Sequence, residues 1–116
     1  MRSRTGAGPQ WSVEELRLLV GNAHISRNPL RDVRLVLGCG DRQARDYIRR
    51  MLKQLAEGDF YERFLFRNAQ GRMEQLDVYC LRDTSDGDTL VWYVKLCVRN
   101  GVLVVNSFHE PEQPMT

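Results

Sequence analysis

The sequence predicts an α+β domain, with three N-terminal helices packed on a C-terminal four-stranded antiparallel sheet. Three observations carry that expectation. Between Asp41 and Gly58 the apolar residues recur with the 3.6-residue period of a helix. From Asp59 onward the period changes to two, as in half-buried strands. Asn100-Gly101, with apolar alternation on both sides, is the strongest short hairpin signal, a type I′ turn.

The elements follow in order. Residues 1–10 are rich in Gly, Pro and Arg and are expected to form a flexible arm. Ser12-Val13-Glu14-Glu15 is a capping box that starts the first helix; Leu16, Leu19 and Val20 form its apolar stripe, and Gly21-Asn22 ends it. Asn28 as N-cap and Pro29 at the first helical position open the second helix. Its Leu30, Val33, Val36 and Leu37 face inward and Gly38 stops it. Asp41 caps the third helix, where Ala44, Tyr47, Ile48, Met51, Leu52 and Leu55 mark the stripe and Gly58 the stop. Four strands are expected at Asp59–Arg67, Arg72–Arg82, Leu90–Val98 and Val102–His109. Pro111 and Pro114 end the sheet, leaving 111–116 as a flexible tail and 11–110 as the single domain.

Bulk properties exclude several classes. A chain of 116 residues argues for one domain, and 42% apolar with 28% charged residues is a folding composition rather than a disordered one. Cys39, Cys80 and Cys97 show no metal-pair spacing and fit a reducing compartment. Nothing resembles a signal peptide, and no run approaches the roughly 20 apolar residues of a membrane span. The expectation is a cytoplasmic protein with no membrane partner. The net charge of +2 is no argument for nucleic acid by itself. The arginines between Arg27 and Lys53 read first as solvated helix faces. Arg42, Arg45, Arg49 and Arg50 could also meet RNA phosphates or an acidic protein surface.

The last hairpin holds a register conflict. A two-residue turn at Asn100-Gly101 pairs Arg99 with Val102 and, counting outward, Tyr93 with Phe108. That puts Phe108 among polar residues and Ser107 and His109 among apolar ones. One extra residue at Val105-Asn106, a β-bulge, repairs both. Tyr93, Lys95, Ser107 and His109 then share one polar face. An apposed Tyr, Lys and His suits cleavage of an RNA backbone, which needs a base for the 2′-hydroxyl, an acid for the leaving oxygen and a cation for the phosphate. On residue types alone such a set is more often plain surface than an active site.

Asp59-Phe60-Tyr61, Asp77-Val78-Tyr79, Trp92-Tyr93-Val94-Lys95-Leu96 and Val102-Leu103-Val104-Val105-Asn106-Ser107-Phe108-His109-Glu110 together resemble the MqsR family of toxin endoribonucleases in order and spacing. The match covers the second half of the chain. The helical half fits more loosely, through Arg4-Thr5, the Leu16–Val20 stripe and Arg27. The resemblance implies a RelE-like fold and a metal-independent mRNA interferase without cofactor. It also implies that the enzyme arrests translation and is neutralised by a cognate antitoxin protein. Its expected partners are mRNA and that antitoxin, with the ribosome as a further candidate. The family's tyrosine matches Tyr93, and its C-terminal lysine falls at His109. Its earlier lysine falls at Glu62, beside which Arg63 and Arg67 are the nearest cations. Its glutamine falls at Leu76, next to Gln75. The expected site is therefore His109, Tyr93 and Arg63 as catalytic residues, with Lys95, Arg67, Tyr61, Ser107 and Gln75 binding RNA. The alternative is a non-catalytic RNA- or protein-binding module.

Overall fold

The computed structural model describes residues 2–4 and 8–112. Along the chain run β1 (Arg2–Arg4), α1 (Val13–Leu19), β2 (His24–Ile25), α2 (Arg27–Leu37), α3 (Asp41–Lys53), β3 (Phe60–Arg67), β4 (Met73–Asp83), β5 (Leu90–Arg99) and β6 (Val102–His109). Parts of the expected arm and tail, namely residues 1, 5–7 and 113–116, lie outside the described residues. Among the described residues no helix is long and apolar enough to cross a membrane.

The three helices and the α+β class stand, but the four-stranded antiparallel, RelE-like sheet is corrected. The strand order is β1-β3-β4-β5-β6-β2. β3 to β6 are antiparallel neighbours, whereas β2 runs parallel to β6, with His24 opposite Val104 and Ile25 opposite Val105, so the sheet is mixed. β1 pairs antiparallel with β3, Arg4 opposite Phe64. β2 leaves no trace in the sequence pattern because two residues carry no period. Its pairing is decided where α1 and α2 bring the chain past β6: Ile25 is buried there, and the Ser26 N–H extends the contact by donating to the Val105 carbonyl at 3.3 Å.

Helix ends follow local chemistry, with some shifts. Ser12 caps α1 as expected, its hydroxyl accepting from the Glu15 N–H at 3.1 Å. α2 starts earlier than expected, with Ser26 rather than Asn28 as N-cap. Pro29 still sits among the first residues, where a missing N–H costs nothing. Gly38 ends α2 in the left-handed conformation, φ 64°. α3 is capped not by Asp41 but by Gly40, whose N–H donates to the Gln43 side chain at 3.1 Å. It ends at Lys53 rather than Gly58. The chain tightens there into an i→i+3 turn, the Leu55 N–H donating to Leu52 O at 3.2 Å, and Leu55 stays buried. Val36 falls off the α2 stripe and is 39% exposed.

The helices cover one face of the sheet. Trp92, Val94, Leu96 and Phe108 point into that layer and are fully buried against Leu16, Ile48 and Leu52. Each such side chain contributes about 1.5–3 kcal/mol of hydrophobic stabilisation. Trp92 and Phe108 pack with ring centroids 5.0 Å apart and planes tilted by 43°. Two polar tips in this layer are satisfied in a chain: Trp92 Nε1 donates to the Tyr47 oxygen at 2.8 Å, and the Tyr47 hydroxyl donates to Asp83 Oδ2 at 2.6 Å, whereas the buried Tyr79 hydroxyl has no hydrogen-bond partner among the described residues. Burial pushes the Tyr47 phenol above its ordinary pKa, and the bond it gives holds the Asp83 carboxyl below the usual range.

The other face has a smaller apolar cluster of Phe64, Leu76, Val78 and Cys97. Trp11 packs against both layers. Its approach is fixed by Asp77, a fully buried carboxylate that accepts the Gln10 N–H at 2.9 Å and the Trp11 N–H at 3.2 Å. Burial raises the Asp77 pKa and those bonds oppose the rise.

Candidate functional site

The hairpin turn sets the register of the site. Asn100 and Gly101 both have positive φ, 51° and 76°, as a type I′ turn requires. From that turn Arg99 pairs with Val102 and Leu96 with Val105, but the next pair is Lys95 with Ser107. Asn106 is the extra residue, so the expected bulge is present. Beyond it Phe108 lies opposite Val94 on the helix face, and His109 lies opposite Tyr93 on the other.

That open face gathers Tyr93, Lys95, Ser107, His109 and Tyr61, all half-buried. The Tyr93 and His109 rings are 5.5 Å apart and tilted by 37°. Tyr61 meets Tyr93 edge-on at 6.4 Å, across the small Cys80 that stands directly opposite Tyr93. Lys95 Nζ lies 5.2 Å from the Phe64 ring centre and 5.3 Å from that of Tyr93, cation over aromatic in both cases. His109 Nδ1 is 2.8 Å from the Glu110 carbonyl oxygen. A carbonyl only accepts, so Nδ1 carries the hydrogen and, in the neutral ring, Nε2 keeps its lone pair.

Three expected residues are elsewhere. A second bulge at Tyr61, between the Phe60–Tyr79 and Glu62–Val78 pairs, moves Phe60 to the helix face and Glu62 and Phe64 to the open one. Arg63 consequently pairs with Asp77 on the helix side of the sheet, where it feels the charge of that carboxylate. Arg67 follows on the same side and donates to the Gly71 carbonyl at 2.7 Å, within the β3–β4 turn. Gln75 pairs with Leu65, one residue and therefore one face away from Leu76.

Sequence reasoning missed how the floor of the site is built. Glu62 is a buried carboxylate, 7% exposed, in one cross-strand row with Val78, Lys95 and Ser107. Asn106 turns its side chain to the same face, where Cys97 Sγ lies 3.6 Å from Oδ1. The parity test that exposed the Asn106 bulge has no purchase at Tyr61, because the five-residue loop 68–72 before Met73 does not fix register as a two-residue turn does.

No family model and no curated protein matches the chain.

Proposed function

We propose that this protein is a metal-independent endoribonuclease toxin that cleaves mRNA in the cytoplasm, arrests translation and is neutralised by a cognate antitoxin protein. One observation carries the reading: the Asn106 bulge turns His109 against Tyr93 and sets Ser107 opposite Lys95 on the face the helices leave open. The resemblance of the second half to the MqsR family, read from the same strands, points the same way.

The chemistry needs only groups on that face. Nε2 of His109, left with its lone pair by the Nδ1–H bond to Glu110, accepts the proton of a ribose 2′-hydroxyl. The freed O2′ forms a bond to the adjacent phosphorus, and the P–O5′ bond breaks. The Tyr93 hydroxyl protonates the departing O5′, leaving a 2′,3′-cyclic phosphate and a 5′-hydroxyl end. Lys95 stabilises the charge on the phosphate, and Ser107 and Tyr61 hold the chain beside it.

A second reading has its own observation. Glu62 is buried where the family carries a lysine, and Leu76 forms apolar floor where it carries glutamine. Both favour a binding module that has lost cleavage. The wild type and His109→Ala, each incubated with mixed RNA in EDTA, separate the readings. Toxin activity gives cyclic-phosphate ends that His109→Ala reduces by about 100-fold or more. No cleavage by the wild type sinks the nuclease reading, and cleavage undiminished in His109→Ala sinks this site.

A further inference from the structure

Of the cations expected at this site, Lys95 lies on the open face, whereas Arg63 and Arg67 belong to the other side of β3. The register of β4 supplies another. Cys80 stands opposite Tyr93, and Arg82, two residues on, stands opposite Val91. Residues two apart on a strand share a face, so Arg82 lies on the face of Tyr93 and His109. It is a diagonal neighbour of Tyr93, at roughly 7–8 Å between backbones, within reach of a long side chain.

Its neighbour fixes this placement. Asp83 is committed to the helix side by the 2.6 Å bond from Tyr47, and its other oxygen takes the Ser85 N–H at 3.0 Å and the Ser85 hydroxyl at 2.7 Å. The carboxylate next in sequence is thereby turned away from Arg82, which is exposed. Lys95 is two residues from Tyr93 in the opposite direction along β5. Arg82 and Lys95 thus bracket Tyr93, with His109 directly across from it. Arg99 shares the face, but it is ion-paired to Glu74 at 2.6 Å at the far end of the strand.

We propose that Arg82 is a catalytic residue of this site, its guanidinium binding the non-bridging oxygens of the scissile phosphate. The inference rests on the RNA-cleavage reading. A planar fork can grip two of those oxygens at once and gains strength as negative charge grows on them, which a point charge matches less well.

The test is cleavage of a short labelled RNA in EDTA by the full chain and by Arg82→Ala, Arg82→Lys and Arg99→Ala, with melting curves to show that each is folded. Arg82→Ala is expected to lower kcat by about 100- to 1000-fold while KM stays within about threefold, the signature of an interaction made chiefly in the transition state. Arg82→Lys recovers part of the loss, and Arg99→Ala stays near wild type. A wild type that cleaves, with Arg82→Ala equal to it in kcat, overturns this inference and leaves the function standing. A wild type that does not cleave overturns both.

Discussion

The two faces of the sheet are made by the same strands from alternate residues, and they have different fates. On β5, Trp92, Val94 and Leu96 are fully buried beneath the helices. Tyr93 and Lys95, their immediate neighbours, are half-exposed among polar groups. One face carries the main apolar core beneath the helices and holds the fold together. The other has a small apolar patch at Phe64, Leu76, Val78 and Cys97, and beside it a cluster of groups able to move protons. In this protein, then, a single inserted residue changes a side chain from stabilising to chemically available. The Asn106 bulge assigns Phe108 to the first role and His109 to the second.

Deleting Asn106 is the most severe way to break that division. An unbroken ladder turns Phe108 out and drives Ser107 and His109 under the helices. The lost aromatic burial alone is worth about 3–5 kcal/mol, a large share of the stability of a small domain. A steep fall in the urea midpoint is expected, and an unchanged midpoint would show that the bulge does not sort the faces.

Next in size is the contrast between neighbours. Trp92→Ala should cost about 3–5 kcal/mol because it opens a cavity in the helix-covered layer. Tyr93→Phe, on the open face, keeps the ring and should cost no more than about 0.5–1.5 kcal/mol yet remove most RNA cleavage. Equal destabilisation by the two variants, measured by urea unfolding, would erase the distinction between the faces.

A further variant sharpens how the covered face ends. Tyr47→Phe removes the hydroxyl that accepts from Trp92 and donates to Asp83, costing about 1–3 kcal/mol. The Asp83 pKa lies below its ordinary value, chiefly through that hydroxyl. A depressed carboxyl stabilises the fold above its unfolded pKa of about 3.9, and this is lost as the pH falls through the folded value. The stability gap between wild type and Tyr47→Phe should therefore be larger at pH 6 than near pH 3. Chemical unfolding at both pH values checks this, and a constant gap refutes the Asp83 contribution.

Much of the covered face can be read from the sequence. The α3 stripe from Ala44 to Leu55 is buried as its period requires, and Trp92, Val94 and Leu96 alternate inward as expected. So does part of the site. Asn100-Gly101 fixes the register by local backbone chemistry, so the parity conflict at Phe108 and His109 follows from residue order alone. Arg63 is the counterexample. Its face depends on a bulge at Tyr61 that no nearby turn betrays, and only pairing with β4 reveals it.

Period and turn chemistry act over a few residues, and they were enough to specify three helices, four antiparallel strands, the last hairpin and the bulge that turns His109 toward Tyr93. The parallel β2, the burial of Glu62 and the opposite faces of Arg63 and Arg82 came only with the assembled sheet. Those outcomes depend on which distant strand lies alongside, and the free energy of such a pairing belongs to both partners, so neither segment encodes it alone.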